Sequence, residues 1–230
     1  MNSQWIDIKS PEGNYGAYLS LPPGGKGPGL VVFEEIFGVN RHIRAVADQF
    51  AMDGFVALAP DVFWRQGARL EFGYEGEERE RAIANMKSMD PKQVAEDIKT
   101  TVAALRARPE VGGAKVGAIG YCMGGRLAYI AAAIAGVDAA VSYYGGGVHD
   151  QLDRAASIKC PIQFHYGEKD QGIPMEAVEK VKAAFKGKSA QFHIYPAGHG
   201  FNCWDRSAYH APSAALAHGR SVEFLAKSLF

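Results

Sequence analysis

Cysteine is scarce in this chain: Cys122, Cys160 and Cys203 are the only three in 230 residues. They are too few and too scattered for a disulfide framework, and an odd number leaves at least one thiol free. A reducing, cytoplasmic setting is the expectation. Charge imbalance is absent as well. Lys plus Arg and Asp plus Glu both number 25, so no global field draws the chain to nucleic acid or to an anionic membrane surface. No apolar run approaches the length needed to cross a bilayer, and no charged segment followed by an apolar stretch opens the chain. There is no H-E-x-x-H, no C-x-x-C and no clustered histidine pair, and Gly145-Gly146-Gly147 lacks the Rossmann spacing. No metal or cofactor is expected. What these absences leave is a small molecule bound locally, by a monomer or a small homo-oligomer.

What is present is enough apolar sequence for a full core: 47% of the residues are hydrophobic, and this length is normal for one large α/β domain spanning 1–230. Trp5 to Ile8 and Tyr15 to Leu21 alternate like strands around Pro11-Glu12-Gly13-Asn14 and read as an antiparallel hairpin. From Leu30 onward, apolar runs alternate with helical patterns. Strands are expected at 30–33, 55–58, 116–119, 139–144, 161–166 and 190–195. Helices are expected after a cap at Asn40 to about 52, and at 91–107, 126–135, 175–185 and 214–229. Residues 67–89 are rich in charge and read as a long excursion with one short helix. The pattern predicts an α/β-hydrolase type of architecture, a mostly parallel sheet with helices on both faces and chemistry at the carboxyl ends of the strands.

The stretch with most chemical content is Gly120-Tyr121-Cys122-Met123-Gly124, which fits the G-x-S-x-G nucleophile elbow with cysteine in the serine position. Flanking glycines let the chain turn sharply and expose the central side chain. The start of the following helix favours thiolate over thiol, and the N–H of Met123 is placed to receive an oxyanion. The competing reading is a glycine-rich turn around an inert, buried cysteine.

A free thiol has a pKa near ~8.5, so a hydrolytic cysteine needs a base, and the base an orienting acid. Acid then histidine, on loops after later strands, is the order this architecture requires. Asp170, after the 161–166 run, and His199, after 190–195, satisfy it; Glu168 is a competing acid, and Asp170 also fits a plain loop turn. The other histidines fall within strands (His165, His193), helices (His42, His218) or loops without a matching acid (His149, His210). Glu34 and Glu35 end the strand beside the elbow. There Glu35 is placed to take the thiol proton in a dry pocket, with the N–H of Ile36 as second oxyanion donor, unless both glutamates are simply solvated.

Glu35-Ile36-Phe37-Gly38-Val39-Asn40, Pro60-Asp61, Gly120-Tyr121-Cys122-Met123-Gly124-Gly125, Tyr143-Tyr144-Gly145, Asp170 and Ala197-Gly198-His199 together resemble the dienelactone hydrolase family over nearly the whole chain. The resemblance implies a Cys122, His199, Asp170 triad with Glu35 helping to activate the thiol and Ile36 and Met123 as oxyanion donors. It implies hydrolysis of carboxymethylenebutenolide to maleylacetate as the activity for which the family is best known. Phe37 and Tyr144 are carried over as substrate-binding positions. Members specific for dienelactone have a serine directly after the histidine and an arginine four residues after it; here these are Gly200 and Cys203. The family's other arginine is similar to Arg81 or Arg79, which a bare reading makes a solvated charged face. Arg206 is a substitute cation and Trp204 an aromatic wall. The expectation is therefore a cysteine hydrolase of small lactones or esters. Its rivals are a non-catalytic or redox-sensing protein with a reactive Cys122 and an esterase or thioesterase of different substrate.

Overall fold

The eight strands of this computed structural model, which describes residues 2–230, form one sheet. Strands β1 (Asn2–Ser10) and β2 (Gly13–Leu21) make the antiparallel hairpin, with Trp5 opposite Tyr18. The hairpin joins the sheet through antiparallel pairing of β2 with β4 (Val56–Pro60). All later pairings are parallel, and the spatial order is β1-β2-β4-β3-β5-β6-β7-β8. The remaining strands are β3 (Gly29–Phe33), β5 (Val116–Tyr121), β6 (Ala139–Tyr143), β7 (Ile162–Gly167) and β8 (Ala190–Tyr195). Every residue of β3, β4, β5 and β6 is buried, which is why these segments read as continuous apolar runs rather than alternating ones. Each buried Val, Leu or Ile there contributes roughly 1.5–3 kcal/mol.

Helix α1 (Arg41–Met52) starts where the sequence places it, with the Asn40 side chain accepting from the Ile43 N–H at 3.2 Å. Helix α6 (Ala211–Leu229) shares its face of the sheet: His218 packs on Phe50 of α1, and Phe230 on Phe55. On the other face lie α3 (Pro91–Arg106), α4 (Met123–Ile134) and α5 (Met175–Ala184), tied together by packing of α3 on α4 and of Tyr129 on Phe185.

The structure departs from the sequence reading at several element ends, with β1 running from Asn2 to Ser10 and α6 starting at Ala211, and in the excursion. Helix α4 begins at Met123, not Arg126, so Gly124 and Gly125 lie inside it. The strand expected at 55–58 is displaced to Val56–Pro60, because Ala59 and Pro60 extend the antiparallel pairing with β2 opposite Tyr18 and Ala17. The excursion carries α2 (Gly76–Lys87), a helix of three turns rather than a short one. Apolar periodicity is weak there because Ala82 is its only fully buried residue. The helix is supported instead by Glu77 and Glu78 in its first turn and Lys87 in its last, which complement its dipole. Among the described residues, no helix is long and apolar enough to cross a membrane.

Candidate active site

Cys122 sits between β5 and α4 at φ 56°, ψ −116°, a conformation L-residues rarely adopt. Its N–H donates to Tyr143 O on the adjacent β6 at 3.0 Å, and its own carbonyl accepts from the Gly125 N–H at 3.0 Å. The glycines are explained by what surrounds them. A Cβ on Gly120 would lie 2.0 Å from Gly124 O, and one on Gly124 would lie 2.3 Å from Phe33 O. Backbone of β3, β5 and α4 is therefore in contact at this bend, and the strain at Cys122 is held from three sides.

Parallel pairing of Phe33 with Gly120 brings Glu34, Glu35 and Ile36 past the end of β3 beside the elbow. The N–H groups of Ile36 and Met123 are engaged by no other group among the described residues. They are free donors next to the sulfur-bearing residue, as an oxyanion site requires.

The loops after β7 and β8 are stitched together. Glu168 N donates to Tyr195 O at 2.9 Å and Lys169 N to Ala197 O at 3.0 Å. This brings Asp170 to His199, whose Nδ1–H donates to Asp170 Oδ2 over 2.7 Å. The other carboxylate oxygen, Oδ1, accepts from the N–H groups of Gly172 at 2.8 Å and Ile173 at 3.2 Å. Asp170 is buried and touches His199, whereas Glu168 is exposed. Burial opposes a charged His199. The Cys122 sulfur, through its charge, and Asp170, through a hydrogen bond and its charge, outweigh it and push the imidazole up to about 10. Nδ1 being committed to Asp170, Nε2 is the nitrogen left for Cys122.

Neither Glu34 nor Glu35 is solvated; their exposures are 0% and 1%. Burial, then the Asp61 carboxylate, raises Glu34 well above the usual carboxylate range. Burial raises Glu35 too, with Arg206 and then His199 opposing the rise. Glu35 Oε1 accepts from Arg206 Nη1 at 2.9 Å, and no hydrogen bond joins it to Cys122. Arg206 reaches it over Gly200, where a Cβ would come within 2.3 Å of Nη1. The missing side chain after His199 is thus the space through which the substitute cation enters.

Other expected positions divide. The Tyr144 ring, at φ 36°, lies 5.1 Å from the His199 ring, and its buried hydroxyl has no hydrogen-bond partner. Phe37 is buried edge-on to Tyr74 at 4.6 Å, with the Arg206 guanidinium 5.4 Å from its ring. Trp204 is 41% exposed and packs against His42 at 4.2 Å. Arg81 and Arg79 do not join the site: both are exposed, and Arg81 pairs with Glu78 one turn away on α2. The reason is helix register, since only Ala82 of that stretch turns fully inward. Tyr74, not anticipated from sequence, stands in the same pocket wall, where its hydroxyl accepts from Cys203 Sγ at 3.6 Å and from Asn40 Nδ2 at 2.9 Å. Its lone position in a charged loop gave no periodic signal.

The sequence and the fold have counterparts elsewhere. A carboxymethylenebutenolidase of Pseudomonas sp. is 37% identical over 222 residues, covering 96% of this chain and 92% of that one. Another, from Pseudomonas putida, is 35% identical over 230 residues, covering 98% and 97%. The crystal structure of a dienelactone hydrolase from Anabaena variabilis shares the fold, with a TM-score of 0.74 at 18% identity over 100% of this chain and 99% of that one. The model of the dienelactone hydrolase family matches residues 15–229, from the second strand of the hairpin to the end of the last helix, and the chain belongs to that family.

Proposed function

We propose that the protein is a cysteine-dependent hydrolase of small lactones or activated esters, with Cys122 as nucleophile, His199 as general acid and base and Asp170 as its orienting group. Membership of the family makes it a hydrolase of ester or lactone bonds. The observation that carries the finer reading is the 2.7 Å contact of His199 with Asp170 in a ring that also answers to the Cys122 sulfur. The Cys122 sulfur and the Asp170 carboxylate both favour the charged imidazole, and the resting form assigned here pairs imidazolium with thiolate.

From that pair the chemistry balances. The thiolate attacks the acyl carbon, forming a C–S bond while the carbonyl electrons move to oxygen, which rests on the N–H groups of Ile36 and Met123. Imidazolium Nε2–H protonates the leaving alkoxide as the C–O bond breaks. Water then adds to the thioester, giving its proton to His199, and collapse expels the thiolate and restores the ion pair. The role we assign to Glu35 is electrostatic: its charge and that of His199 attract, which favours imidazolium and hence thiolate. Arg206 pairs with Glu35 at 2.9 Å, so its own charge is directed at that carboxylate. A redox-sensing role has less support, because burial and then Glu35 push the Cys203 thiol up to about 12 and leave no second thiolate nearby.

Purified protein should cleave p-nitrophenyl acetate and open a small enol lactone, and Cys122→Ala should abolish both. Full turnover by that variant overturns the mechanism.

A further inference from the structure

A cavity of about 230 Å³ opens between α2, α3 and α4, beginning at Met123, the residue directly after Cys122. Met86 and Met89 from the α2 end, Val94 and Ala95 from α3, and Leu127 and Ile130 from α4 give it apolar walls. Its only charged lining residues are two arginines, Arg126 and Arg154, and no acidic side chain lines it. The Arg126 side chain makes no hydrogen bond or ion pair among the described residues. Its Nη1 lies over Gly147, where a Cβ would be 2.9 Å away, and the neighbouring Asp150 carboxylate does not reach it. Arg154 donates from Nε to Gln151 Oε1 at 2.9 Å, which leaves its terminal nitrogens uncommitted. Of the other arginines considered for an anion, Arg206 is spent on Glu35 and Arg81 on Glu78, and Arg79 is exposed and does not line the cavity.

We propose that this cavity is a chain-binding subsite, in which Arg126 and Arg154 hold a carboxylate at the far end of an apolar chain whose ester or lactone group lies at Cys122. The proposal rests on the hydrolase reading and names its substrate class. Two half-buried cations without counter-ions at the side of an apolar slot match an amphiphilic anion, and guanidinium forks match a carboxylate in particular. At about 30 Å³ for each small group, the volume holds roughly seven or eight of them. Methionine walls suit a flexible chain, because the unbranched thioether repacks around differing shapes. Met123 links the two halves, since it lines the cavity and directly follows Cys122 in the chain.

The test separates binding from turnover. In Cys122→Ala protein, which leaves the cavity intact, isothermal titration with octanoate should show one site, with octan-1-ol binding more weakly. Adding Arg126→Met should raise Kd by about tenfold, the size of one charge-assisted hydrogen bond. Adding Ala95→Phe in place of Arg126→Met should block binding by filling the slot, and it touches neither arginine. In the enzyme with Cys122 present, the ratio of kcat/KM for mono-p-nitrophenyl suberate to that for p-nitrophenyl octanoate should exceed one and fall about tenfold in Arg126→Met; as a ratio it cancels any general loss of activity. Octanoate affinity that neither substitution changes, or an unaltered ratio, overturns the subsite. Octanoate binding of the expected pattern in a protein that cleaves no ester upholds the subsite and overturns the hydrolase reading instead.

Discussion

Arg206 and Glu35 meet across 2.9 Å with their side chains only 14% and 2% exposed, so a full ion pair stands beside the proposed nucleophile almost out of water. A pair this buried is sensitive to the loss of one member, because the other is left desolvated without compensation. The relationship also defines what the pocket can recognise: the charge of Arg206 is directed inward at the protein's own carboxylate before any substrate arrives.

Arg206→Met should therefore destabilise the fold by about 3 kcal/mol, the lower end for breaking a buried pair. Glu35→Gln in the same chain should return part of that loss, since a neutral amide tolerates burial better. Urea denaturation of the single and double variants measures both. Equal stability of wild type and Arg206→Met would mean that the pair contributes nothing.

Gly124→Ala addresses the bend itself. Its new Cβ would sit 2.3 Å from Phe33 O and 2.5 Å from Glu34 O, and backbone cannot rotate aside as a side-chain tip can. A loss of about 2 kcal/mol is expected from overpacking, together with displacement of the Ile36 N–H and a fall in kcat. Gly136→Ala is the control: it meets nothing within 4 Å, so it registers only the cost of its positive φ of 64°. Thermal unfolding and esterase assays on the two variants distinguish contact from backbone strain.

The elbow, Asp170 and His199 were legible in the sequence because each follows a buried strand, and strands of that kind announce themselves as short apolar runs with a fixed chain order. Glu35 was legible as a strand-end residue, but its partner was not. Nothing local links position 206 to position 35; the contact depends on Gly200 leaving a gap across which the Arg206 side chain extends. Arg79 and Arg81 misled for the opposite reason: a charged helix held by its dipole carries no apolar stripe to say which side faces inward. The start of α4 was misplaced because Gly124 and Gly125 lower helix propensity, whereas tertiary contact with β3 and β6 requires glycine there.

The titration of His199 tests the ion pair directly. Its imidazole, normally near ~6.5 in an unfolded chain, is pushed up to about 10 against burial by Cys122 and Asp170. A raised folded-state pKa stabilises the fold in full below about 6.5, and the contribution is lost as pH rises through about 10. Cys122→Ala removes one of the two supports and leaves burial unopposed by it, so the midpoint should fall well below that of the wild type. The stability curve between pH 6.5 and 10 should flatten in parallel. Imidazole ¹⁵N shifts followed by NMR give the midpoint, and a midpoint unmoved by Cys122→Ala would show that the sulfur carries no charge toward the ring.

Asp170 performs two tasks with two oxygens, and Asp170→Asn separates them. Oδ1 accepts from the Gly172 and Ile173 N–H groups and shapes the loop, a task that an amide oxygen can keep. Oδ2 accepts from His199 Nδ1, a task that an amide NH₂ cannot perform, since it turns the ring to the wrong tautomer. The expectation is a loss in kcat of the order of 10³ to 10⁴, as for the same change in serine hydrolases, with the unfolding midpoint in urea moved little. Asp170→Ala should lose both functions, lowering stability as well as turnover. If Asp170→Asn hydrolyses p-nitrophenyl acetate as fast as the wild type, His199 takes its orientation from the loop backbone and not from the carboxylate.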